Sequence, residues 1–262
     1  MKLATWNVNS IIARLPRLLD WLDQLSPDVV CLQETKVADD SFPYAELREL
    51  GYDAAAHGDG RWNGVAILSR QGVADIAYGV PGAPNFPAPR SPPEARAITG
   101  TCGPLRLTSV YVPNGREPAD PHYVYKLRWL AALGAAIQAD AAGPGPFAVL
   151  GDFNVAPTDD DVWDPASFVG STHVTEPERA ALAALRDLGL RDVVPRPLKY
   201  DRPFTYWDYR AGMFHQNKGM RIDLVYGNSA FAGSVDDAYV DREARKGKGM
   251  SDHAPVVIDL SL

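Results

Sequence analysis

The feature that most constrains this chain is the stretch at residues 148–154, where an apolar run ends in a glycine and two polar side chains follow. A short apolar run bounded in this way is typical of a buried strand. Alternation across an extended backbone places Asp152 and Asn154 on one side and Phe153 on the other. A carboxylate and a carboxamide at the mouth of a strand can hold a water molecule. A simple turn is the competing interpretation, because glycine, aspartate and asparagine also end strands.

Length and composition indicate an ordinary globular protein. The chain has 262 residues, of which 46% are hydrophobic and 23% charged, enough for one large domain or two small ones. A glycine- and proline-rich segment at residues 141–146 leads into the strand described above. Both flanking regions begin with an apolar strand that ends in polar residues. We therefore interpret residues 1–262 as one domain with two pseudo-symmetric halves, about 1–142 and 146–262.

Cysteine usage and hydropathy predict the compartment. Cys31 and Cys102 lie in apolar, strand-like contexts without metal-ligand spacing, which favours buried free thiols in a reducing cytoplasm. The sequence shows neither a secretory signal peptide nor an apolar run of membrane-spanning length. We expect a cytoplasmic monomer with no membrane partner. The net charge of −7, taken alone, argues against a polyanionic partner.

Short strands with few helices dominate the pattern along the chain. A strand at residues 2–9, a helix opened by Pro16 and a strand at 29–32 form a βαβ unit. Further strands are predicted, among them residues 204–207, and a proline-rich surface loop at residues 81–93. This pattern favours two sheets packed face to face with helices outside.

Polar side chains recur at the ends of these predicted strands. They are Asn7, Glu34, Asp152 with Asn154, Asp223, and the pair Asp252 and His253. Each alone could be a cap or a turn. Several carboxylates on one rim would repel each other and resist burial, unless a divalent cation is bound among them. Oxygen ligands without cysteine clusters favour Mg²⁺ or Mn²⁺.

The chain resembles the exonuclease III family of bacterial AP endonucleases, within the endonuclease/exonuclease/phosphatase superfamily. Seven motifs in family order carry the resemblance and cover nearly the whole chain: Trp6-Asn7-Val8-Asn9, Gln33-Glu34-Thr35-Lys36, Asn63-Gly64-Val65-Ala66, Tyr111-Val112-Pro113-Asn114-Gly115, Gly151-Asp152-Phe153-Asn154, Met220-Arg221-Ile222-Asp223 and Ser251-Asp252-His253-Ala254-Pro255. The resemblance implies an α/β four-layer sandwich of two mixed β-sheets flanked by helices. It also implies Mg²⁺- or Mn²⁺-dependent hydrolysis of DNA phosphodiesters in repair.

The resemblance also implies a role for each matched residue. Asn7 and Glu34 would hold the metal, and Asp252 would lie near it. Asp152 would activate the attacking water, with Asn154 beside it. Tyr111 would contact the phosphate or the departing 3′ oxygen. Asp223 would orient His253, which would bind a non-bridging phosphate oxygen.

The implied substrate is double-stranded DNA with abasic sites or 3′ ends. Tyr206 or Trp207, Met220 and Ile222 would line an apolar pocket for a flipped, baseless sugar. Although the net charge is negative, basic side chains lie near the motifs and could bind DNA phosphates. We expect phosphate contacts from Arg221, Lys246 and Lys248. A solvated loop is the alternative for the last two.

Two other functions remain open from the sequence. One is a superfamily phosphatase acting on inositol or lipid phosphates, and the other is a DNA-binding module with an inactive site. The sequence also leaves open the balance between AP endonuclease, 3′-phosphatase or 3′-phosphodiesterase and 3′→5′ exonuclease activities, and whether one or two metal ions bind.

Overall fold

The computed structural model describes residues 1–86 and 93–262. Its strands are β1 Lys2–Asn7, β2 Val29–Gln33, β3 Asp53–His57, β4 Val65–Ser69, β5 Ala74–Tyr78, β6 Ala97–Cys102, β7 Leu105–Tyr111, β8 Phe147–Asp152, β9 Arg191–Asp192, β10 Asp223–Gly227, β11 Val235–Val240 and β12 Val256–Leu260. Its α-helices are α1 Ile11–Leu25, α2 Tyr44–Glu49, α3 Pro121–Ala141, α4 Glu176–Asp187 and α5 Ser229–Gly233.

The strands form two six-stranded sheets. The order in the first sheet is β11-β12-β1-β2-β4-β3, and in the second β5-β6-β7-β8-β10-β9. Each sheet is mixed, because β1 pairs with β2 and β7 with β8 in parallel while the other pairs are antiparallel. The parallel pairs bring several strand ends to one rim. The predicted α/β sandwich of two mixed sheets is confirmed.

Three apolar layers hold the sandwich together. Between the sheets lies a core that includes Cys31, Ile67 and Leu150. On the outer face of the first sheet, α1 buries Leu18 and Leu22 against strand residues. The long helix α3 and the shorter α4 cover the second sheet in the same way. Strands buried on both faces read as continuous apolar runs, which explains why β2, β4 and β8 stand out in the sequence.

Helix α1 begins earlier than predicted. Pro16 lies inside it, and the helix starts at Ile11 after Ser10, whose hydroxyl accepts a hydrogen bond from the Ala13 N–H. A serine N-cap satisfies one of the free donors of the first turn, which makes it the stronger start signal. The prediction that Pro16 opens the helix was wrong.

The predicted strand at residues 204–207 was also wrong. Tyr206 makes only isolated bridges, to Met220 and to His253. The apolar and aromatic composition that suggested a strand instead fills the space at the end of the sandwich. Conversely, β11 was missed because its pattern is half-exposed and includes Asp236 and Asp237.

Several predictions concern the chain as a whole. Both cysteines are free and buried, as predicted. Within the described ranges, no helix is long and apolar enough to cross a bilayer. Residues 87–92 of the predicted surface loop lie outside the described residues. Both sheets take strands from each proposed half, and the division into pseudo-symmetric halves stays a prediction.

Candidate active site

The two sheets meet at one rim through the side chain of Asn7. Asn7 ends β1 in the first sheet, and its Nδ2 donates to Glu34 Oε1 at 2.8 Å and to Asp152 Oδ2 at 2.9 Å. Glu34 follows β2, whereas Asp152 ends β8 in the second sheet. The structure thus brings together residues from distant parts of the sequence that were predicted to share a site.

Gly151 explains how Asp152 reaches this rim. Its φ is +142°, and a Cβ there would lie 2.1 Å from the Val110 carbonyl oxygen of β7. Only glycine tolerates this approach of the two backbones. The strand can therefore run close beside β7 up to Asp152, which pairs across the sheet with Asp223 of β10.

Asn154 does not follow the extended geometry that the sequence suggested. The strand ends at Asp152, and Asn154 has a φ of +51°. Its backbone N–H donates to Asp152 Oδ1 at 2.9 Å. Its side chain donates to the Val112 carbonyl at 3.0 Å and accepts from Asn114 Nδ2 at 3.1 Å. Asn154 therefore orients Asp152 through its backbone, and the alternation argument for its side chain was wrong.

His253 and Asp223 form a buried ion pair next to Asp152. The imidazole Nδ1–H donates to Asp223 Oδ2 at 2.8 Å, and Nε2 lies 3.9 Å from Asp152 Oδ2. Burial alone would lower the pKa of His253, but Asp223 and then Asp152 raise it to about 10. The side chain is thus an imidazolium at neutral pH, with its Nε2–H directed toward the centre of the cluster.

Asp152 is poised to accept a proton. Burial raises its pKa to about 7, with Asp223 and Glu34 adding to the effect and His253 opposing it. A base whose pKa lies near the working pH is the most effective proton acceptor. One oxygen of the neighbouring pair, Asp223 Oδ1, is buried and has no hydrogen-bond partner among the described residues. Charge is therefore incompletely compensated here.

Glu34 combines a left-handed backbone conformation with a side chain that two neighbours fix. Its φ is +52°, in the left-handed region that non-glycine residues rarely adopt. Oε1 accepts from Asn7, and Oε2 lies 2.7 Å from Lys36 Nζ. Burial opposes ionisation, but Lys36 and Asn7 lower the pKa of Glu34 below its ordinary value. Glu34 is thus a carboxylate at neutral pH.

Lys36 and Asn9 also belong to the rim, although no role was predicted for them from the sequence. Lys36 Nζ also donates to Asn9 Oδ1 at 2.5 Å, and Asn9 Nδ2 donates to Asp252 Oδ1 at 3.0 Å. This chain links Asp252 to Glu34 across the rim. The signal was present, because Asn9 and Lys36 close the same two motifs that contain Asn7 and Glu34.

The donor set fits a hard divalent cation. Ligand atoms of Glu34, Asp152 and His253 all lie within 4.8 Å of one another. A protonated His253 offers no lone pair, and Asn7 turns its amide nitrogen toward the carboxylates. Glu34, whose pKa is lowered, is therefore the carboxylate that would hold the ion, with Asp152 beside it, and oxygen donors suit Mg²⁺ or Mn²⁺. Asp252 lies outside this cluster.

Tyr111 ends β7 and completes the rim. Burial and the charge of Glu34 raise the pKa of its phenol well above 10. The Arg96 guanidinium lies over the ring, 4.8 Å from its centroid. The phenol is therefore a hydrogen-bond donor rather than a phenolate across the physiological range.

The predicted pocket residues separate into two groups. Tyr206 packs against His253 with ring centroids 4.9 Å apart. Met220 and Ile222 form a small buried cluster with Val162, and Tyr206 packs against it. Trp207 instead lies in the core between the sheets, 1% exposed, with its ring 5.2 Å from that of Phe214.

The predicted phosphate-binding cations also differ in their surroundings. Arg221 is 3% exposed and pairs with Asp161 at 2.6 Å and with both oxygens of Asp192 at 3.0 and 2.9 Å. Its guanidinium therefore ties the start of β10 to neighbouring segments and does not face solvent. Lys246 and Lys248 are exposed, and Lys246 pairs with Glu243 at 2.6 Å.

Fold and site together define a class: a sandwich of two mixed β-sheets with a carboxylate-containing rim suited to a divalent cation. Residues 4–253 match the profile described as the Endonuclease/Exonuclease/phosphatase family. The chain is 30% identical to exodeoxyribonuclease III of Haemophilus influenzae over 272 residues, 98% of each chain. The chain belongs to the endonuclease/exonuclease/phosphatase family.

Solved structures agree with this assignment. A 3′-5′ exonuclease (NExo) from Neisseria meningitidis superposes with a TM-score of 0.93 at 37% identity, over 100% of both chains. A variant of NExo bound to a product DNA hairpin is described as a 3′ phosphatase. An AP endonuclease from Archaeoglobus fulgidus gives 0.92 at 32% identity, again over 100% of both chains. The predicted exonuclease III resemblance and the predicted DNA-repair nuclease are confirmed, and the inositol or lipid phosphatase is not favoured.

Proposed function

We propose that this protein hydrolyses phosphate esters at the 3′ ends and abasic sites of double-stranded DNA, as a monomer with Mg²⁺ or Mn²⁺. The observation that supports the proposal most strongly is the meeting of four groups at one rim. Asp152 is a proton acceptor with a pKa of about 7, His253 is a buried imidazolium, Tyr111 is a protonated phenol, and Glu34 is a carboxylate.

These groups match the requirements of water attack on phosphorus. Asp152 accepts a proton from the attacking water, whose oxygen forms the new bond to phosphorus. The Nε2–H of His253 donates to a non-bridging oxygen, where negative charge accumulates. The bond between phosphorus and the 3′ oxygen breaks, and the Tyr111 hydroxyl donates a hydrogen bond to that departing oxygen. Each role uses the protonation state that the surroundings impose.

A divalent cation bound by Glu34, beside Asp152, would act as a Lewis acid on the phosphate oxygens. It would also reduce the repulsion between the two carboxylates, which the Asn7 amide bridges. Asn7 would keep the two carboxylates next to each other.

The small cluster of Tyr206, Met220 and Ile222 is the proposed wall for a baseless sugar. Extruding an abasic nucleotide is cheap, because its pairing and stacking are already lost. An apolar wall next to His253 would accept a sugar and exclude a full nucleotide sterically. Trp207 is not included, because its ring packs in the core between the sheets, whereas Met220 and Ile222 pack with Tyr206 next to His253. Both proposed activities occur among the relatives, one described as an AP endonuclease and one as a 3′-5′ exonuclease.

A panel of substrates tests the proposal. Initial rates should be measured with Mg²⁺ on duplexes carrying an abasic site, a 3′ phosphate at a nick, or a recessed 3′ hydroxyl, and on an inositol phosphate. We expect cleavage of the DNA substrates and no phosphate release from the inositol compound. Asp152→Asn is the matched control for contaminating nucleases. Turnover of the inositol phosphate with intact DNA would overturn the proposal, and cleavage of only the 3′-end substrates would remove the abasic activity from it.

A further inference from the structure

Another buried charge, that of a lysine, lies behind the site and belongs to none of the predicted motifs. Lys126, on α3, has a fully buried side chain. Its Nζ lies 2.5 Å from Glu178 Oε1 of α4 and donates to the carbonyls of Asn154 at 2.7 Å and Asn114 at 3.1 Å. Removing an ammonium from water is costly, and a buried ion pair seldom stabilises a fold more than apolar side chains of similar volume. The position of this lysine therefore calls for another explanation.

Glu178 is itself fixed from several directions. Its Oε2 accepts from the N–H and hydroxyl of Thr175 in a capping box at the start of α4. Its Oε1 accepts from the Thr172 hydroxyl at 2.7 Å and from the His173 N–H at 3.0 Å. The carboxylate is thus a rigid anchor for the lysine.

The two carbonyls that Lys126 binds belong to the turns that follow β7 and β8. Asn114 and Asn154 also bind each other through their side chains. The Asn154 carbonyl receives a second contact, from His173 Nδ1 at 2.5 Å. Burial, and then Lys126, lower the pKa of His173 to about 4, so its ring is neutral and Lys126 brings the only positive charge to this carbonyl within the described residues.

We propose that Lys126 is a positioning residue for the hydrolytic reaction. By holding the Asn154 carbonyl, it fixes the left-handed turn at Asn154, whose N–H donates to Asp152 Oδ1. By holding the Asn114 carbonyl, it fixes the turn that follows Tyr111. One ammonium group thus fixes the positions of both the Asp152 carboxylate and the Tyr111 phenol. This inference rests on the proposed function of Asp152 and Tyr111.

Paired variants separate this role from simple stabilisation. Lys126→Met should lower stability, because the Glu178 carboxylate loses its counter-charge in the interior. It should also lower kcat, because the carbonyls of Asn114 and Asn154 lose their donor. The double variant Lys126→Met with Glu178→Gln removes both charges and keeps a side chain that can serve the capping box. We expect the double variant to regain most of the lost melting temperature. Its kcat should remain roughly 10- to 100-fold below wild type, with KM within a few-fold, as for other outer supporting residues.

Lys126→Arg retains the charge and several donors, and should recover part of the lost kcat. A double variant whose kcat recovers together with its melting temperature would overturn the proposal. So would a Lys126→Met protein that folds normally and turns over at the wild-type rate.

A readout independent of activity keeps this test separate from the proposed function. Hydrogen exchange at the Asn154 amide should be faster in the double variant than in wild type, while amides in β8 keep their protection. Unchanged exchange at Asn154 would overturn the positioning role. A wild-type protein that fails to cleave any DNA substrate would refute the proposed function instead, whatever the exchange shows.

Discussion

Two buried charged clusters lie within a few residues of each other, and they differ in how fully their charges are satisfied. Around Lys126 and Glu178, the ammonium has four oxygen partners and both carboxylate oxygens accept hydrogen bonds. Around Asp152 and His253, three carboxylates crowd together. There the part of the chain that the structure describes offers Asp223 Oδ1 no hydrogen-bond partner, and burial raises the pKa of Asp152 to about 7.

The difference separates support from reactivity. A saturated cluster has no capacity left for a ligand, so it can only fix the geometry around it. An unsaturated, strained cluster makes the folded state less stable, and binding of a substrate or cation can restore that stability. Titrating groups with perturbed pKa values are for this reason concentrated at functional sites. Substitutions of single residues can show whether each one supports the site or reacts in it.

The largest effect should come from removing the metal. Chelation should reduce DNA cleavage to background, and Mg²⁺ or Mn²⁺ should restore it. Glu34→Gln should raise the metal concentration needed for half-maximal rate, because a neutral amide is a poorer ligand for a hard cation. Titrations of wild type and variant, with Glu243→Gln as a surface control, check this. An unchanged metal requirement would remove Glu34 from the ligand set.

Asp223→Asn should lower kcat by roughly 10- to 100-fold, as expected for the loss of an orienting partner. The pKa of His253, about 10 in the folded protein, should fall toward 6.5. Because the proposed mechanism uses the imidazolium, the variant should lose activity on the alkaline side at a lower pH than wild type. A rate–pH profile measures this, and an unmoved alkaline limb would contradict the role of the pair.

The same pair also makes a prediction for stability. A raised histidine pKa contributes stability that is fully present below about pH 6.5 and is lost as the pH rises through about 10. The difference in free energy of unfolding between wild type and Asp223→Asn should therefore shrink on the alkaline side. Urea unfolding at several pH values would show it, and a pH-independent difference would argue against a charged His253.

Substitution of Met220 should change the substrate preference, whereas substitution of Trp207 should lower the stability of the fold. Met220→Ala should enlarge the proposed pocket and shift the ratio of abasic cleavage to 3′-phosphate removal by roughly 10-fold. Trp207→Ala should cost about 3–5 kcal/mol of stability and reduce both activities together. Parallel assays on the two substrates decide the matter. Equal losses in Met220→Ala would leave the pocket without support.

The smallest effect concerns the exposed lysines. Lys248→Glu should lower the salt dependence of DNA binding by roughly 0.9 in log–log slope if it contacts one phosphate. Lys246→Glu should change the slope less, since Glu243 already pairs with Lys246. Binding isotherms at several salt concentrations check both, and an unaltered slope for Lys248→Glu would identify a loop that is merely solvated.

The sequence allowed the sandwich and most of its rim to be predicted, because buried strands are continuous apolar runs and polar residues follow them directly. Asn7, Glu34, Asp152, Asp223 and His253 all reach one rim, as predicted. Their motifs are local in sequence, and sheet topology brings strand ends together.

What the sequence could not show depends on three-dimensional pairing. The sequence predicts Arg221 to be a cation available for phosphate, whereas in the structure it forms ion pairs with Asp161 and Asp192. The turn at Asn154 depends on a lysine 28 residues away in sequence, on a helix whose pattern indicated only an apolar face. Long-range side-chain partners leave no local periodicity, so such roles are visible only in the structure.

Asp152→Asn separates stability from activity more sharply than the other variants, because it removes a buried charge at the reactive cluster. The folded-state pKa of Asp152 is about 7, above its ordinary 3.8, so ionisation disfavours folding above pH 7 and has no such cost below about pH 3.8. In metal-free buffer at pH 8, the variant should melt at the same or a higher temperature than wild type. Its turnover with Mg²⁺ should fall by a factor on the order of 10²–10⁴. A variant that melts lower and loses activity only in proportion, or that turns over near the wild-type rate, would contradict the account.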